Sequence, residues 1–318
     1  MATSFARDRC NRVLPEILPV LSQKVPVWGL LKGAGFLHGH KHKLHLHHRL
    51  RRNPTLPGGP TRMPTPNTMH ALPPLTWLEP GEDLPDPRLA WGQESPAPGL
   101  LAAGTDLGPE RVLQAYRQGC FPWFSRGQPV LWWSPDPRMV LVPQHFRLHR
   151  SLRQTLKRWL GQGHFELVFD RDFPQVMQRC AAQARPGQQG TWILPAMVQA
   201  YTALHAQGLA HSAEVWLDGQ LVAGLYFVSL GRMVFGESMF TDIRDGSKMA
   251  LALLVDVALR QGVPMIDCQQ NTRHLASLGA AEIDREHFLQ TVHHQRDLPA
   301  IDWAHERLHL STLESRLS

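Results

Sequence analysis

Residues His211–Val228 read H-S-A-E-V-W-L-D-G-Q-L-V-A-G-L-Y-F-V. Two apolar runs rich in β-branched and aromatic residues flank Asp218-Gly219. That dipeptide favours a two-residue hairpin turn, because both of its residues accept positive φ. Reading outward, Gly231-Arg232 turns the chain into a third run, M-V-F-G-E-S-M-F, from Met233 to Phe240. Ser247 then stands as the cap of a helix running through Arg260, with Leu251, Leu254, Val255, Ala258 and Leu259 on its apolar face. Gly262 stops that helix, and V-P-M-I-D-C-Q, Val263 to Gln269, follows as a strand. An antiparallel meander, one helix and a further strand predict an α+β fold.

Polar residues inside these apolar strands are the first sign of chemistry. Strand alternation puts Met265, Asp267 and Gln269 on one face, with Ile266 and Cys268 on the other. Glu237 interrupts its strand between Gly236 and Ser238. An acid and an amide inside a buried strand are costly unless paired. Two readings stand. In one, these groups make a buried ion pair or a satisfied hydrogen bond. In the other they form a site at the strand ends, where Asp267 and Glu237 bind a cation or orient an amine and Gln269 binds a carbonyl. No Ser-His-Asp set and no G-x-S-x-G occurs, so an acyl-enzyme is not indicated.

Upstream, Pro109 to Gln118 reads as a short helix, with proline in its first turn and Gly119 as its stop. Directly after it, residues 116–138 read Y-R-Q-G-C-F-P-W-F-S-R-G-Q-P-V-L-W-W-S-P-D-P-R. Tyr116, Phe121, Trp123, Phe124, Trp132 and Trp133 on a proline- and glycine-rich loop could form a stacking platform for a base, or could simply pack the loop. Residues 64–99 read as irregular packing over a small domain, and Met139–Val142 as a strand. Arg147, Arg150, Arg153, Lys157 and Arg158 surround a further helix. They make either a solvated face or a contact with a phosphate backbone. Pro195 to Gln207 reads as another helix, closed by Gly208.

The net charge of +6 is unevenly spread. Residues 1–62 carry eleven Lys and Arg against two acids, +9, which leaves −3 for the rest. This extension includes the His-rich tract from His38 to Arg52, which has no spacing that defines a closed metal site. It is read as disordered or as sequence upstream of the true start, with Met63 and Met69 as candidate starts. Val13–Val27 is mildly apolar but interrupted by Pro15, Glu16, Pro19 and Lys24, so it makes a weak signal peptide. No run reaches the roughly 18 apolar residues of a membrane span. Cys10, Cys120, Cys180 and Cys268 lie far apart with no C-x-x-C, which argues against zinc and disulfides and for a reducing cytoplasm.

Several motifs occur in order over roughly residues 72–290: G-L-L-A-A-G-T-D-L, F-P-W-F, L-W-W-S-P-D-P-R, G-T-W-I, H-S-A-E-V-W, G-E-S-M-F, S-K and I-D-C-Q…H-L-A-S-L-G-A. Taken together they make a chain that resembles the bacterial leucyl/phenylalanyl-tRNA–protein transferases. The resemblance implies a small N-terminal α/β domain (63–137) packed on a C-terminal GNAT-like acyltransferase domain (138–297), followed by a tail (298–318). It implies transfer of Leu or Phe, and possibly Met, from aminoacyl-tRNA to proteins with N-terminal Lys or Arg, creating an N-degron. No cofactor, metal or membrane is implied. Carried over by motif, Tyr116, Trp123 and Trp192 hold the tRNA 3′-terminal adenosine. Asp267, Gln269 and Glu237 are the catalytic candidates. From the residues themselves, Arg150, Arg153, Lys157 and Arg158 are assigned to the tRNA backbone, and Met233, Phe235 and Met239 to the aminoacyl pocket.

Elementary chemistry agrees with this resemblance. An aminoacyl ester is already activated, and an α-amine of pKa about 8 is partly neutral near pH 7. Holding amine and ester together can supply about 7–11 kcal/mol of the barrier. Asp267 is read as orienting the amine and relaying its proton, and Gln269 as positioning the reacting groups; the tRNA ribose hydroxyl is the other proton carrier. The chain departs from the family pattern at Thr105, at Leu194 and over Gln270–Arg273. Two alternatives compete. A CoA-dependent GNAT acyltransferase needs a glycine-rich phosphate turn, and T-D-I-R-D-G-S-K-M-A has one glycine. A non-catalytic tRNA- or peptide-binding protein has no need of Asp267, Gln269 and Glu237 together.

Overall fold

The hairpin joins β7 (Ala210–Leu217) to β8 (Gln220–Leu230) in the computed structural model, which describes residues 74–183 and 193–316. Asp218 and Gly219 have φ of 51° and 73°, as a two-residue turn of this hand requires. β9 (Met233–Thr241) continues the meander antiparallel to β8. A helix (Gly246–Arg260) then leads to β10 (Ile266–Gln269), which lies parallel to β9. Two expectations shift here. The helix is entered through Asp245, at φ 63°, and the buried Ser247 hydroxyl caps nothing. The strand begins at Ile266, after the Val263 N–H has closed the helix end on the Ala258 carbonyl.

Numbered in chain order among the described residues, the remaining elements fall into place around these. β1 (Thr76–Leu78), β2 (Leu100–Gly104), β3 (Phe121–Pro122) and β4 (Val130–Trp133) form a four-stranded sheet in the order β1-β2-β4-β3. Helix α1 (Pro109–Arg117) connects β2 to β3. β5 (Arg138–Leu141), β6 (Phe165–Phe169) and β11 (Ala281–Ile283) join a seven-stranded sheet in the order β11-β5-β10-β9-β8-β7-β6. α2 (Arg150–Leu160), α3 (Phe173–Ala182), α4 (Pro195–Ala206), α5 (Gly246–Arg260), α6 (Arg273–Ser277), α7 (Arg285–Gln295) and α8 (Leu310–Arg316) complete the set. The architecture is mixed α/β.

Neighbouring residues of β8 show which helices cover which face. A Cβ on Gly224 would touch Val176 of α3, whereas Ala223 lies against Gly246 of α5. Tyr226, two residues beyond Gly224, packs its ring on Phe173 of α3 and Tyr201 of α4. The sheet is therefore sandwiched, with α3 and α4 on one face and α5 on the other. β7, β8, β9 and α5 are buried along most of their length, because both faces are covered.

The segment read as a tail is part of this core. Trp303 is buried and packs on Phe169, Phe227 and His211, with ring centroids 5.3, 4.8 and 6.1 Å away. Leu313 is fully buried. Asp256, inside α5, accepts a hydrogen bond from the His309 backbone N–H at 2.7 Å and pairs with Arg260. The His-rich tract and the candidate start methionines lie outside the described residues. No described helix is long and apolar enough to cross a membrane.

Candidate active site

Two bulges shape the centre of the large sheet. Opposite β8, Tyr226 pairs with Ser238 and Phe227 with Gly236, so Glu237 is the extra residue of β9. On β10 the pairing with β5 runs from Asp267↔Val140 to Gln269↔Met139, which leaves Cys268 extra. The β9–β10 register consists of Ile266↔Val234 and Asp267↔Phe235. Past that point side chains take over from the backbone: Gln269 Nε2 donates to Glu237 Oε1 at 2.9 Å.

Glu237 is the hub of a buried polar cluster. Its Oε1 also accepts from the Tyr116 hydroxyl at 2.6 Å, and Oε2 lies 3.3 Å from the Tyr201 hydroxyl. The two tyrosine hydroxyls are 2.6 Å apart. α1 supplies Tyr116 and α4 supplies Tyr201. Burial pushes the Glu237 carboxyl up from 4.5 to about 8, against the opposing pull of the Tyr116 hydrogen bond. With a proton on Oε2 the hydrogen bonds close into a ring. Glu237 donates to Tyr201, Tyr201 to Tyr116, and Tyr116 back to Glu237 Oε1. Burial holds both phenols well above their usual range, so they stay protonated donors.

Asp267 sits in a different arrangement. Its Oδ1 accepts from Arg138 Nε at 2.8 Å and from the Gln269 backbone N–H at 2.9 Å, and its Oδ2 accepts from Arg138 Nη2 at 2.6 Å. Asp267 and Arg138 are both fully buried. The ion-pair reading of Asp267 therefore describes the geometry. Both oxygens of this carboxylate are engaged within the protein, and Asp267 is joined to the Glu237 cluster through Gln269. Gln269 itself has φ of 63°, a left-handed backbone that a non-glycine residue adopts at a cost, and its Oε1 is buried with no partner among the described residues.

The other expected site residues divide. Tyr116 is fully buried inside the polar cluster, its ring 5.0 Å from that of Phe235, and offers no open stacking face. Trp123 is half-buried, with its ring 5.3 Å from that of Trp133; Trp133 Nε1 donates to the Trp123 carbonyl at 2.7 Å. Trp192 lies outside the described residues. Of the three apolar candidates, Met233 and Phe235 pair with Leu230 and Val228, on the Tyr226 face of the sheet. The bulge at Glu237 reverses the alternation, so Met239 pairs with Leu225 on the α5 side. The three do not line one pocket. Arg150, Arg153, Lys157 and Arg158 are exposed along α2. Two of them are already engaged: Glu314 of α8 lies 2.7 Å from Lys157 and 3.9 Å from Arg153.

Sequence reasoning passed over two residues that the fold brings to this centre. Tyr201 lay in a helix read only for its ends. Arg138 carried a visible signal, a charged residue opening the apolar run R-M-V-L, the mirror of the Asp267 anomaly on the strand that pairs with it. Cys120 and Cys268 are unsuited to nucleophilic work. Burial pushes the Cys120 thiol up to about 12 and holds Cys268 well above its usual range. Among the described residues no group of three or more His, Cys, Asp or Glu is placed to hold a metal ion. The site thus offers donors, one neutral acid and an unpaired amide oxygen, which suits positioning of a reactant that arrives already activated.

Comparison with known proteins gives the same direction. The family model described as leucyl/phenylalanyl-tRNA protein transferase matches residues 140–293, and that of its N-terminal domain matches residues 105–136. The leucyl/phenylalanyl-tRNA–protein transferase of Polaromonas sp. strain JS666 is 59% identical over 217 residues, 68% of this chain and 85% of that one. The protein of the same name from Burkholderia cenocepacia is 53% identical, over 76% of this chain and 95% of its own length. That from Ralstonia pickettii is 55% identical, over 71% and 92%. The solved structure of L-PGS from Bacillus licheniformis is 14% identical over 52% of this chain and 53% of that one, with a TM-score of 0.29, below the level at which a shared fold follows. With both family models matched in order and relatives aligned over most of their length, the chain belongs to the leucyl/phenylalanyl-tRNA–protein transferase family.

Proposed function

We propose that this protein transfers Leu or Phe from aminoacyl-tRNA to the α-amine of proteins whose first residue is Lys or Arg, by direct aminolysis of the ester. The product is an N-degron, and the reaction takes place in the cytoplasm without a cofactor. The observation that carries this reading is the Glu237–Gln269 contact at 2.9 Å, which leaves Gln269 Oε1 buried and without a partner among the described residues. A buried amide oxygen is costly to leave unsatisfied, and an incoming ammonium or amine is the donor it lacks. Gln269 thus accepts from the amine, and Glu237, held neutral by its surroundings, fixes the amide and the two tyrosines.

The rest of the chemistry follows from what the site does not need. The ester supplies the activation, so the protein's work is to hold amine and carbonyl in place and to keep water out. The protein need supply no nucleophile, because the substrate α-amine attacks the ester carbonyl and the bond to the ribose oxygen breaks. The tRNA ribose hydroxyl at the ester carries the proton to the leaving oxygen. Trp123 and Trp192 stack on the 3′-terminal adenosine, with Tyr116 acting through Glu237. Met233 and Phe235 receive the Leu or Phe side chain. Arg150, Arg153, Lys157 and Arg158 follow the tRNA backbone. In this reading residues 63–137 form the small N-terminal domain and residues 138–297 a GNAT-like catalytic domain.

The test is transfer of radiolabelled Leu from Leu-tRNA to a protein beginning with Arg, against one beginning with Ala. Label in the Arg substrate alone is the expected result. Label in neither, with tRNA still bound, would replace catalysis by binding.

A further inference from the structure

Asp267 is joined to the reacting geometry through the Gln269 backbone N–H, which puts weight on the residue that holds Asp267. We infer that Arg138 is a positioning residue for the transfer reaction, setting the geometry of Gln269 by clamping Asp267. This rests on the transferase reading.

The geometry is a chain of dependent contacts. The Arg138 guanidinium makes a bidentate pair with Asp267, at 2.8 and 2.6 Å, in a fork that fixes the plane of the carboxylate. That carboxylate then accepts the Gln269 backbone N–H at 2.9 Å. Gln269 is held in the left-handed region at φ 63°, and only from there does its side chain turn back to Glu237. Removing the clamp frees the carboxylate to rotate, takes the acceptor away from the Gln269 N–H, and lets that residue relax to ordinary extended backbone. Its amide oxygen would then no longer present itself where the amine arrives.

Arg138 is itself built in. Its guanidinium lies between the rings of Phe121, 4.7 Å away in β3, and Phe288, 4.4 Å away in α7. Both aromatic faces meet the cation, an arrangement Lys cannot reproduce because it lacks the flat fork. Phe121 belongs to the four-stranded sheet and Asp267 to the seven-stranded one, so this one side chain ties the two sheets at the point where the reaction geometry is set. Among the described residues Arg138 Nη1 is buried without a partner.

The test uses the full chain in three variants, Arg138→Gln, Arg138→Lys and Arg138→Gln/Asp267→Asn. Each is measured for kcat of Leu transfer at saturating Leu-tRNA, for tRNA affinity and for Tm. Arg138→Gln should lower kcat by about 100-fold, with tRNA affinity within about three-fold of wild type, because the displaced group belongs to the reacting geometry. Its Tm should drop by roughly 10 °C, because Asp267 is left as an unpaired buried charge. The double variant should regain Tm, since no buried charge remains. Its kcat should stay at least about ten-fold down, since two amides lack the rigid charged fork. Arg138→Lys should fall between. A folded Arg138→Gln with wild-type kcat overturns the inference, as does a double variant whose kcat recovers in step with its Tm. If Arg138→Gln does not fold, the double variant decides alone. A wild-type protein without transfer would instead refute the transferase reading, and is read from the same plates.

Discussion

Replacing Glu237 with Gln should remove a decline in stability that the wild-type protein shows as pH rises. The carboxyl is buried, and its pKa stands at about 8 in the folded protein against an ordinary 4.5. Between those values the folded protein keeps a proton that the unfolded chain has released. The folded state then binds more protons than the unfolded state, so stability falls as pH rises through the window and levels off above about pH 8. At about 1.36 kcal/mol per pH unit, the step from about pH 5 to about pH 7.5 is worth about 3 kcal/mol as an upper limit. For a domain of this size that corresponds to roughly 6–12 °C in Tm. Gln copies the neutral acid: its oxygen accepts from Tyr116 and Gln269, and its amide donates to Tyr201. Thermal unfolding of both proteins across this range, at constant ionic strength, gives a difference curve in which the other titrating groups cancel. The variant should gain on the wild type as pH rises and match it near pH 5. Parallel curves would mean that Glu237 is ionised in the folded protein at neutral pH, and the closed ring of hydrogen bonds would be wrong.

Other outcomes follow from the same structure. Trp303→Ala should cost about 3–5 kcal/mol in urea unfolding, because it empties a buried site against Phe169 and Phe227. Near-neutrality would mean that the segment does not dock in solution. Glu314→Gln should release Arg153 and Lys157 from their acidic partner and tighten tRNA binding several-fold, with a salt dependence steeper by up to about 0.9 per phosphate gained. An unchanged salt slope would remove α2 from the RNA interface. Gly279→Ala should destabilise the fold by more than about 2 kcal/mol: φ there is 105° and a Cβ would collide with the His145 carbonyl oxygen. A wild-type Tm would show that the loop can shift without loss.

What could be read from the chain followed the range of the interactions involved. The β7–β8 turn, α1 and the end of α5 rest on neighbours within a few residues, and Asp218-Gly219, Pro109 and Gly262 announce them. The bulges at Glu237 and Cys268 do not show in a pattern of apolar residues. Met239, read together with Met233 and Phe235 as a pocket candidate, therefore faces the other side of the sheet. The Arg138–Asp267 pair joins residues 129 positions apart, and it exists because β5 lies beside β10. No local rule places a strand from residue 138 between strands beginning at 266 and 281. The catalytic candidates were legible as anomalies, acids and an amide in apolar strands. Their partners Arg138 and Tyr201 were not, since a partner is fixed only by the fold.

The docking of Trp303 also bears on the order in which this protein can be completed. Trp303 is synthesised after every described strand of the sheet it helps to fill. A nascent chain that has already paired β6 with β7 and β8 still carries an aromatic gap beside Phe169, Phe227 and His211. Premature termination just past α7 would therefore yield a sheet with a hole in it, and not merely a shorter protein. The exposed apolar lining of that hole is the kind of surface that chaperones and proteases engage. Completeness of synthesis is in this way written into the stability of the molecule.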